Sequence, residues 1–226
     1  MTLIFAHRGY RDPENTITAF QRAKSVGADG IELDTYLSKD GEWLIDHIGK
    51  NLPSTPEELE RETTLPRLID LKQIDGMEIN IELKVPEQEK SVEKLGEELI
   101  KYLMDNFEMD SIHISSFNPK AFIGIRRVNK DVRLSLLTLF SRRKTWDKWN
   151  KKVGLYSFNP YYRLFRKKYI ATLHKTGIRV HPWTVNSEKF MQKLMQAGCD
   201  ALITDETELA LSIRSELATD DKTSIQ

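Results

Sequence analysis

The sequence predicts one α/β domain in which eight parallel strands, each followed by a helix, close into a (β/α)8 TIM barrel. Eight short, β-rich runs alternate with amphipathic helical patterns along the chain. The length of 226 residues suits one such domain, since these barrels run to about 250 residues. Charged residues also fall at the carboxyl ends of the first three runs, where barrels of this kind carry their active sites.

Each run has an apolar or alternating pattern bounded by turn residues. We expect barrel strands at 3–9, 30–37, 79–84, 112–117, 134–139, 155–159, 178–184 and 201–204. Between them, apolar residues recur at helical spacing, as in the stripe of Val92, Leu95, Leu99 and Leu103. We assign 1–218 to one barrel domain and 219–226 to a polar tail that frays.

The stretch after the second strand departs from the repeat. Trp43 to His47 form a short apolar run after the turn sequence Lys39-Asp40-Gly41, which predicts an extra hairpin strand paired with the second barrel strand. That hairpin would bring His47 back toward Asp34. The stretch 48–64 then leads to the third barrel strand.

Composition restricts the partners and the compartment. Thirty-four Lys and Arg balance 34 Asp and Glu, so the overall charge does not suggest a nucleic-acid partner. Cys199 is the one cysteine, which excludes an intrachain disulfide and fits a reducing, cytoplasmic location. No signal-peptide pattern and no run near the ~20 apolar residues of a membrane span is present. The oligomeric state is left open.

Three acidic residues point to a metal site. Side chains alternate in a strand, so Glu32 and Asp34 face the same way, and Glu82 ends the next barrel strand. Three carboxylates suit a hard divalent cation, Mg²⁺ or Ca²⁺. Salt-bridged rim positions are the structural alternative for these acids.

Two basic residues and two histidines lie beside these acids. Arg8 and Lys84 would hold an anion next to the metal, most simply a phosphate. His7 and His47 would then act as acid and base on opposite sides of the phosphorus. We favour His7 as the base and His47 as the acid, although the sequence does not order them.

The same motifs resemble those of the glycerophosphodiester phosphodiesterases. The resemblance rests on His7-Arg8-Gly9, Pro13-Glu14-Asn15-Thr16, the run 27–34, Lys39-Asp40-Gly41, Ile81-Glu82-Leu83-Lys84, the run 65–71, Trp183-Thr184-Val185-Asn186 and the run 201–205. It spans nearly the whole chain. It implies a metal-dependent barrel that hydrolyses a glycerophosphodiester to glycerol 3-phosphate and an alcohol.

The resemblance also implies roles for individual residues. Glu32, Asp34 and Glu82 take the metal positions, His7 and His47 the acid-base positions, and Arg8 and Lys84 the phosphate contacts. Glu14 would orient His7 or a substrate hydroxyl. Trp183 would face the substrate from the seventh strand.

Two departures from the family pattern leave alternatives open. Ile48 follows His47 where the family has Asp, and the shortened insertion before the third barrel strand, 48–64, would leave the mouth open. The alternatives are lysophospholipase-D-like or sphingomyelinase-D-like cleavage of a lipid-bearing phosphodiester, with a cyclic product as its mark, and a weakened barrel that only binds phosphodiesters.

The segment 141–152, from Ser141 to Lys152, bears on the lipid alternative. It carries six Lys or Arg together with Trp146 and Trp149. Tryptophan suits membrane interfaces, and basic residues are attracted to anionic lipid. A solvated surface loop or helix is the favoured interpretation of this segment, and a weak contact with an anionic membrane is the alternative.

Overall fold

The predicted barrel is confirmed. The computed structural model describes residues 1–48, 53, 55–140 and 143–223. Its strands are β1 (Leu3–His7), β2 (Gly30–Leu37), β3 (Trp43–Ile45), β4 (Glu78–Leu83), β5 (Ile112–Ser116), β6 (Arg133–Thr138), β7 (Ser157–Pro160), β8 (Arg179–Val180) and β9 (Ala201–Thr204). Its helices are α1 (Ile17–Ser25), α2 (Pro56–Glu62), α3 (Val92–Asn106), α4 (Ala121–Val128), α5 (Arg143–Val153), α6 (Ile170–His174), α7 (Glu188–Gln196) and α8 (Thr207–Thr223).

Eight parallel strands form the barrel wall, and β3 is the predicted hairpin strand. The wall runs in the order β8-β7-β6-β5-β4-β2-β1-β9. Backbone hydrogen bonds from Asp200 N to Val180 O and from Ile203 N to Pro182 O, each 3.0 Å, link its two ends. The hairpin strand β3 pairs antiparallel with β2, with Thr35 opposite Ile45.

The strands place apolar side chains outward, against the helices, and polar side chains inward. In β5, Ile112 and Ile114 join the main apolar core, whereas His113 and Ser115 alternate with them. The pattern continues around the wall, where Ser157 Oγ donates to Ser135 Oγ at 2.8 Å. Strands of a buried parallel sheet are usually apolar on both faces, so this interior is unusually polar.

The largest differences from the sequence-based boundaries are at β8 and at the last helix. β8 is only two residues long, and a single backbone bridge between Tyr161 and Trp183 follows it. The last helix continues through Thr223, and within it the Thr219 hydroxyl donates to Ser215 O and Glu216 O. The first five residues of the expected frayed tail are therefore helical.

The membrane-facing role considered for Trp146 is wrong. This side chain is completely buried under α5, edge-on to Phe158 and Tyr169 at 5.2 and 5.5 Å between ring centroids. Trp149 is half-buried, with the ammonium groups of Lys148 and Lys152 over its ring. Residues 141–142 of the expected segment lie outside the described residues.

Within the described residues, no helix combines the length and the apolar character that crossing a bilayer requires.

Candidate active site

The turn after β1 brings the first site residues into the barrel mouth. Arg8 and Asn15 adopt left-handed backbone conformations, both with φ of 55°. Gly9 has a φ of 88°, and a Cβ there would lie 2.7 Å from the Cβ of Ala19 in α1. A larger residue would push the turn off the helix, which explains why glycine follows His7 and Arg8.

Three carboxylates form the floor of the mouth. Glu32, Asp34 and Glu82 are buried, and each offers an oxygen within 4.8 Å of the other two. The register of the wall causes this arrangement, because Asp34 on β2 lies directly opposite Glu82 on β4. Burial of three like charges at this spacing requires compensating cations.

Burial and mutual repulsion shift the pKa values of two of these acids. Burial, with the charge of Asp34, raises the pKa of Glu32 to about 7. Burial, with the charges of Asp34 and Glu32, raises the pKa of Glu82 to about 8, although Lys84 opposes the shift. Burial acts against ionisation of Asp34 too, but the ammonium of Lys84 holds its pKa below the usual value.

Asp34 is fixed by a neighbour on the first turn. The Asn15 carboxamide donates from Nδ2 to Asp34 Oδ2 at 3.0 Å and accepts at Oδ1 from the Asp34 backbone N–H at 3.2 Å. Asn15 is itself buried. Sequence reasoning placed Asn15 only within a motif and gave it no role.

Two cations lie over the acidic floor. Lys84 Nζ is 2.8 Å from Asp34 Oδ1 and 2.6 Å from Glu82 Oε1. Arg8 Nε is 3.0 Å from Asp34 Oδ2, and the Arg8 backbone N–H donates to Glu32 Oε2 at 3.3 Å. Both predicted phosphate-contact residues thus form ion pairs with predicted metal ligands.

His7 is held by a carboxylate that the sequence analysis did not assign to the site. Its Nδ1 lies 2.6 Å from Asp205 Oδ1, and its Nε2 lies 3.9 Å from Glu32 Oε2. Asn186 Nδ2 donates to the other Asp205 oxygen at 2.5 Å. Burial lowers the pKa of His7, but the Asp205 hydrogen bond and the charge of Glu32 outweigh burial and raise it.

His47 reaches the same mouth from the hairpin strand, as predicted. It follows β3, and its imidazole is exposed. Burial of part of the ring and the charge of Lys84 lower its pKa. The preceding carboxylate, Asp46, accepts from Arg61 Nη2 at 2.8 Å.

Glu14 and Trp183 take different places in the mouth. Glu14 accepts a hydrogen bond from Arg8 Nη1 at 2.9 Å and so orients the arginine. The carboxylate that contacts His7 is that of Asp205. Trp183 donates from Nε1 to Asn159 O at 2.8 Å and packs edge-on against Phe117, with ring centroids 5.3 Å apart. Phe117 was not predicted as a site residue.

One cavity of about 180 Å³ joins most of these groups. It is lined by His7, Arg8, Glu32, His47, Glu82, Lys84, Phe117, Leu137, Trp183 and Ile203. Both histidines, two of the three acids and both cations therefore line one cavity. A polar cavity of about 490 Å³ adjoins His47 and Glu14, and one of about 400 Å³ adjoins His47 and Phe117.

Comparisons with known proteins agree with this geometry. The model of the glycerophosphoryl diester phosphodiesterase family matches residues 7–55 and 45–209. A glycerophosphodiester phosphodiesterase of Caldanaerobacter subterraneus subsp. tengcongensis is 31% identical over 240 residues, covering 94% of this chain and 97% of the relative. This chain belongs to the glycerophosphoryl diester phosphodiesterase family.

A second relative supports the family assignment, and a solved structure shares the fold. A glycerophosphodiester phosphodiesterase of Bacillus altitudinis is 32% identical over 250 residues, covering 96% of this chain and all of that relative. An Oleispira antarctica phosphodiesterase, solved in complex with the product sn-glycerol-3-phosphate, shares the fold with a TM-score of 0.81. It is 22% identical, with 95% of this chain and 97% of that chain covered.

The residues of this family member fit a divalent cation at the acidic floor. Glu32, Asp34 and Glu82 supply oxygen donors, the kind that Mg²⁺ and Ca²⁺ prefer. Two of the three have pKa values raised to about 7 and about 8, so a cation is needed to keep all three ionised near neutral pH.

Sequence reasoning missed Asp205, and a signal for it was present. Inward positions on β9 recur at every second residue. Ile203 lines the mouth cavity, and Asp205 lies two residues after it. The same alternation that selected Glu32 and Asp34 on β2 therefore selects Asp205.

Proposed function

We propose that this chain hydrolyses glycerophosphodiesters to glycerol 3-phosphate and an alcohol, using a divalent metal and two histidines. The observation that supports this proposal is the single cavity that both histidines and both cations share with two acids of the floor, Glu32 and Glu82. Cations, carboxylates and imidazoles in one space are the groups that phosphodiester cleavage requires.

Glu32, Asp34 and Glu82 would hold the cation. When bound, it would supply a positive charge that polarises a phosphate oxygen. Asn15 keeps the Asp34 carboxylate in place through two hydrogen bonds, so this ligand would not have to reorganise. Whether the natural ion is Mg²⁺ or Ca²⁺ is a question for the metal-dependence assay below.

Arg8 and Lys84 would bind the phosphate and share the charge that grows on it during cleavage. Both are already desolvated and held in place by carboxylates, with side chains 22% and 14% exposed. Glu14 accepts from Arg8 Nη1 and so limits the positions that its guanidinium can take.

His7 and His47 would carry the two proton transfers. The Asp205 carboxylate fixes the proton of His7 on Nδ1, which leaves Nε2 to face the reacting group. We assign His7 as the base that activates the nucleophile and His47 as the acid that protonates the leaving alcohol.

The first experiment measures glycerol 3-phosphate released from glycerophosphocholine in Mg²⁺, Ca²⁺ or EDTA. We expect metal-dependent release that EDTA abolishes, and loss of release in Glu82→Gln, which keeps the shape but removes one carboxylate. Chelator-resistant activity would remove the metal from the proposal. A folded, metal-bound protein that cleaves no glycerophosphodiester would indicate a binding barrel instead.

A second candidate substrate is a lipid-bearing phosphodiester such as a lysophospholipid. The cavity of about 400 Å³ beside His47 is lined in part by Ile48, Val85 and Phe117, which would accept an alkyl chain. Side-by-side assays of glycerophosphocholine and lysophosphatidylcholine decide between the two. Release of a cyclic phosphate would indicate attack by a neighbouring substrate hydroxyl.

The cytoplasmic location remains part of the proposal and is checked by cell fractionation. The weak membrane contact considered for 141–152 is now proposed without Trp146, since that ring is buried.

A further inference from the structure

The balanced net charge of this chain hides a strong separation of charge along the sequence. Residues 111–187 contain 17 Lys and Arg but only two acids, Asp131 and Asp147. The remainder contains the other 17 Lys and Arg with 32 Asp and Glu. One third of the chain is therefore strongly basic, and the rest is acidic to the same extent.

The topology turns this separation into two sides of one barrel. Residues 111–187 contain β5, β6, β7 and β8 and the helices α4, α5 and α6. These strands are consecutive neighbours in the barrel wall. The basic segment therefore lies along one continuous side of the barrel, where Arg127 and Arg133 pair with acids of α3 and β4 at its border.

The mouth end of the basic side also exposes apolar side chains. Phe117, Leu139, Phe140 and Leu164 follow β5, β6 and β7 and are 44%, 49%, 59% and 50% exposed. Among described residues, the other exposed large apolar side chains are Met1, Leu59 and Met104. A majority of this class thus clusters in three neighbouring loops beside the active site.

Basic residues surround these apolar side chains. Those in the same loops or directly after them, all exposed, are Lys120, Lys144, Arg163, Arg166, Lys167 and Lys168. Three of them, Arg166 to Lys168, line a cavity of about 340 Å³ with Lys193 of α7 and the aromatic residues Tyr162, Phe165 and Phe190. Its lining contains four cations and no carboxylate.

We propose that the loops after β5, β6 and β7 dock the barrel mouth onto an anionic lipid bilayer. Leu139, Phe140 and Leu164 would enter the interface, and Arg166, Lys167 and Lys168 would contact the lipid phosphates. The basic side selects an anionic partner, and the exposed apolar side chains favour a bilayer over a purely polar polyanion. This inference goes beyond the proposed reaction, because docking does not depend on which phosphodiester is cleaved.

The test is binding of the full-length protein to vesicles of phosphatidylcholine alone or with 30% phosphatidylglycerol, followed by co-sedimentation. We expect binding to the anionic vesicles only, and weaker binding at high salt. Combined Arg166→Gln, Lys167→Gln and Lys168→Gln should weaken it roughly 100-fold, since each basic residue near an anionic surface contributes about fivefold to binding.

A charge-matched control separates docking from a general effect of net charge. Lys130, Lys175 and Arg179 are exposed on the same basic side but at the opposite end of the barrel. Their combined change to Gln removes the same charge and should weaken binding only a few-fold. Equal loss in both triple variants would overturn the proposal.

The apolar contribution has its own test. Leu139→Ser with Phe140→Ser should weaken binding to anionic vesicles while hydrolysis of soluble glycerophosphocholine stays unchanged, which also reports correct folding. Unchanged vesicle binding in this variant, together with equally tight binding of duplex DNA by the unmodified protein, would identify a polyanion site and refute membrane docking.

Discussion

Metal binding to this site should compete with protons in the range near neutral pH. Without metal, the pKa of Glu32 is raised to about 7 and that of Glu82 to about 8, so both carboxyls are partly protonated at pH 7. A cation needs both as carboxylates and must displace those protons. The pKa of Asp34 is lowered, so this acid adds no proton to the exchange.

The magnitude follows from the two pKa values. At pH 7, Glu32 holds about half a proton and Glu82 about nine-tenths, so binding should release roughly 1.4 protons. Between pH 8 and pH 6 the apparent affinity for Mg²⁺ should fall roughly 500-fold, or about 3.7 kcal/mol. The affinity must fall as the pH falls, because protons bind to the same carboxylates that the metal requires.

The assay is isothermal titration calorimetry in buffers that differ in ionisation enthalpy, which counts the protons released per metal ion. Glu82→Gln is the matched control, because it deletes the carboxyl with the higher pKa and should lower the release by about one proton. An affinity that stays within threefold from pH 6 to pH 8, without proton release, would refute the reasoning.

Three further predictions concern catalysis and stability. Asp205→Asn removes the hydrogen-bonded charge that raises the pKa of His7, so if His7 is the base, the acidic limb of kcat/KM should move to lower pH. A shift of the alkaline limb would assign His7 as the acid. His47→Ala should lower kcat roughly 10²–10⁴-fold with unchanged metal affinity by calorimetry; normal turnover would end its assigned role. Trp146→Ala should lower the unfolding free energy by about 3–5 kcal/mol in urea denaturation, and Trp149→Ala should cost less, because only Trp146 is fully buried. Equal losses would contradict the packing.

Much of the barrel was predictable, because alternation carries information about both faces of a strand. In β4 the order Ile79, Asn80, Ile81, Glu82 and Leu83 sends apolar groups outward to the helices and polar groups inward. That pattern identified the strand and placed Glu82 in the mouth. Runs with a strong period of two were therefore located well. The strand β8 was predicted too long, because after its two residues only a single backbone bridge continues the barrel wall there.

Contacts between distant parts of the chain were less accessible. His7 and Asp205 are separated by 198 positions, so no local pattern joins them. Their contact depends on barrel closure, which makes β9 the neighbour of β1. The membrane-facing role considered for Trp146 was wrong for a different reason. It lies on a helix rich in Lys and Arg, and composition alone does not tell which tryptophan of such a helix faces the core.

The overall charge of a chain is a poor guide to partners when charge is segregated. Exposed charges interact over about 8–10 Å at physiological ionic strength, so a surface senses the charges near it and not the net value. Here the basic segment spans four neighbouring strands, and most of the acids that balance its charge lie in the rest of the chain. A net charge of zero therefore does not exclude an anionic partner at the mouth loops. Once the topology is known, the charge of each region can be counted. That regional charge decides which face of the barrel can bind an anionic partner.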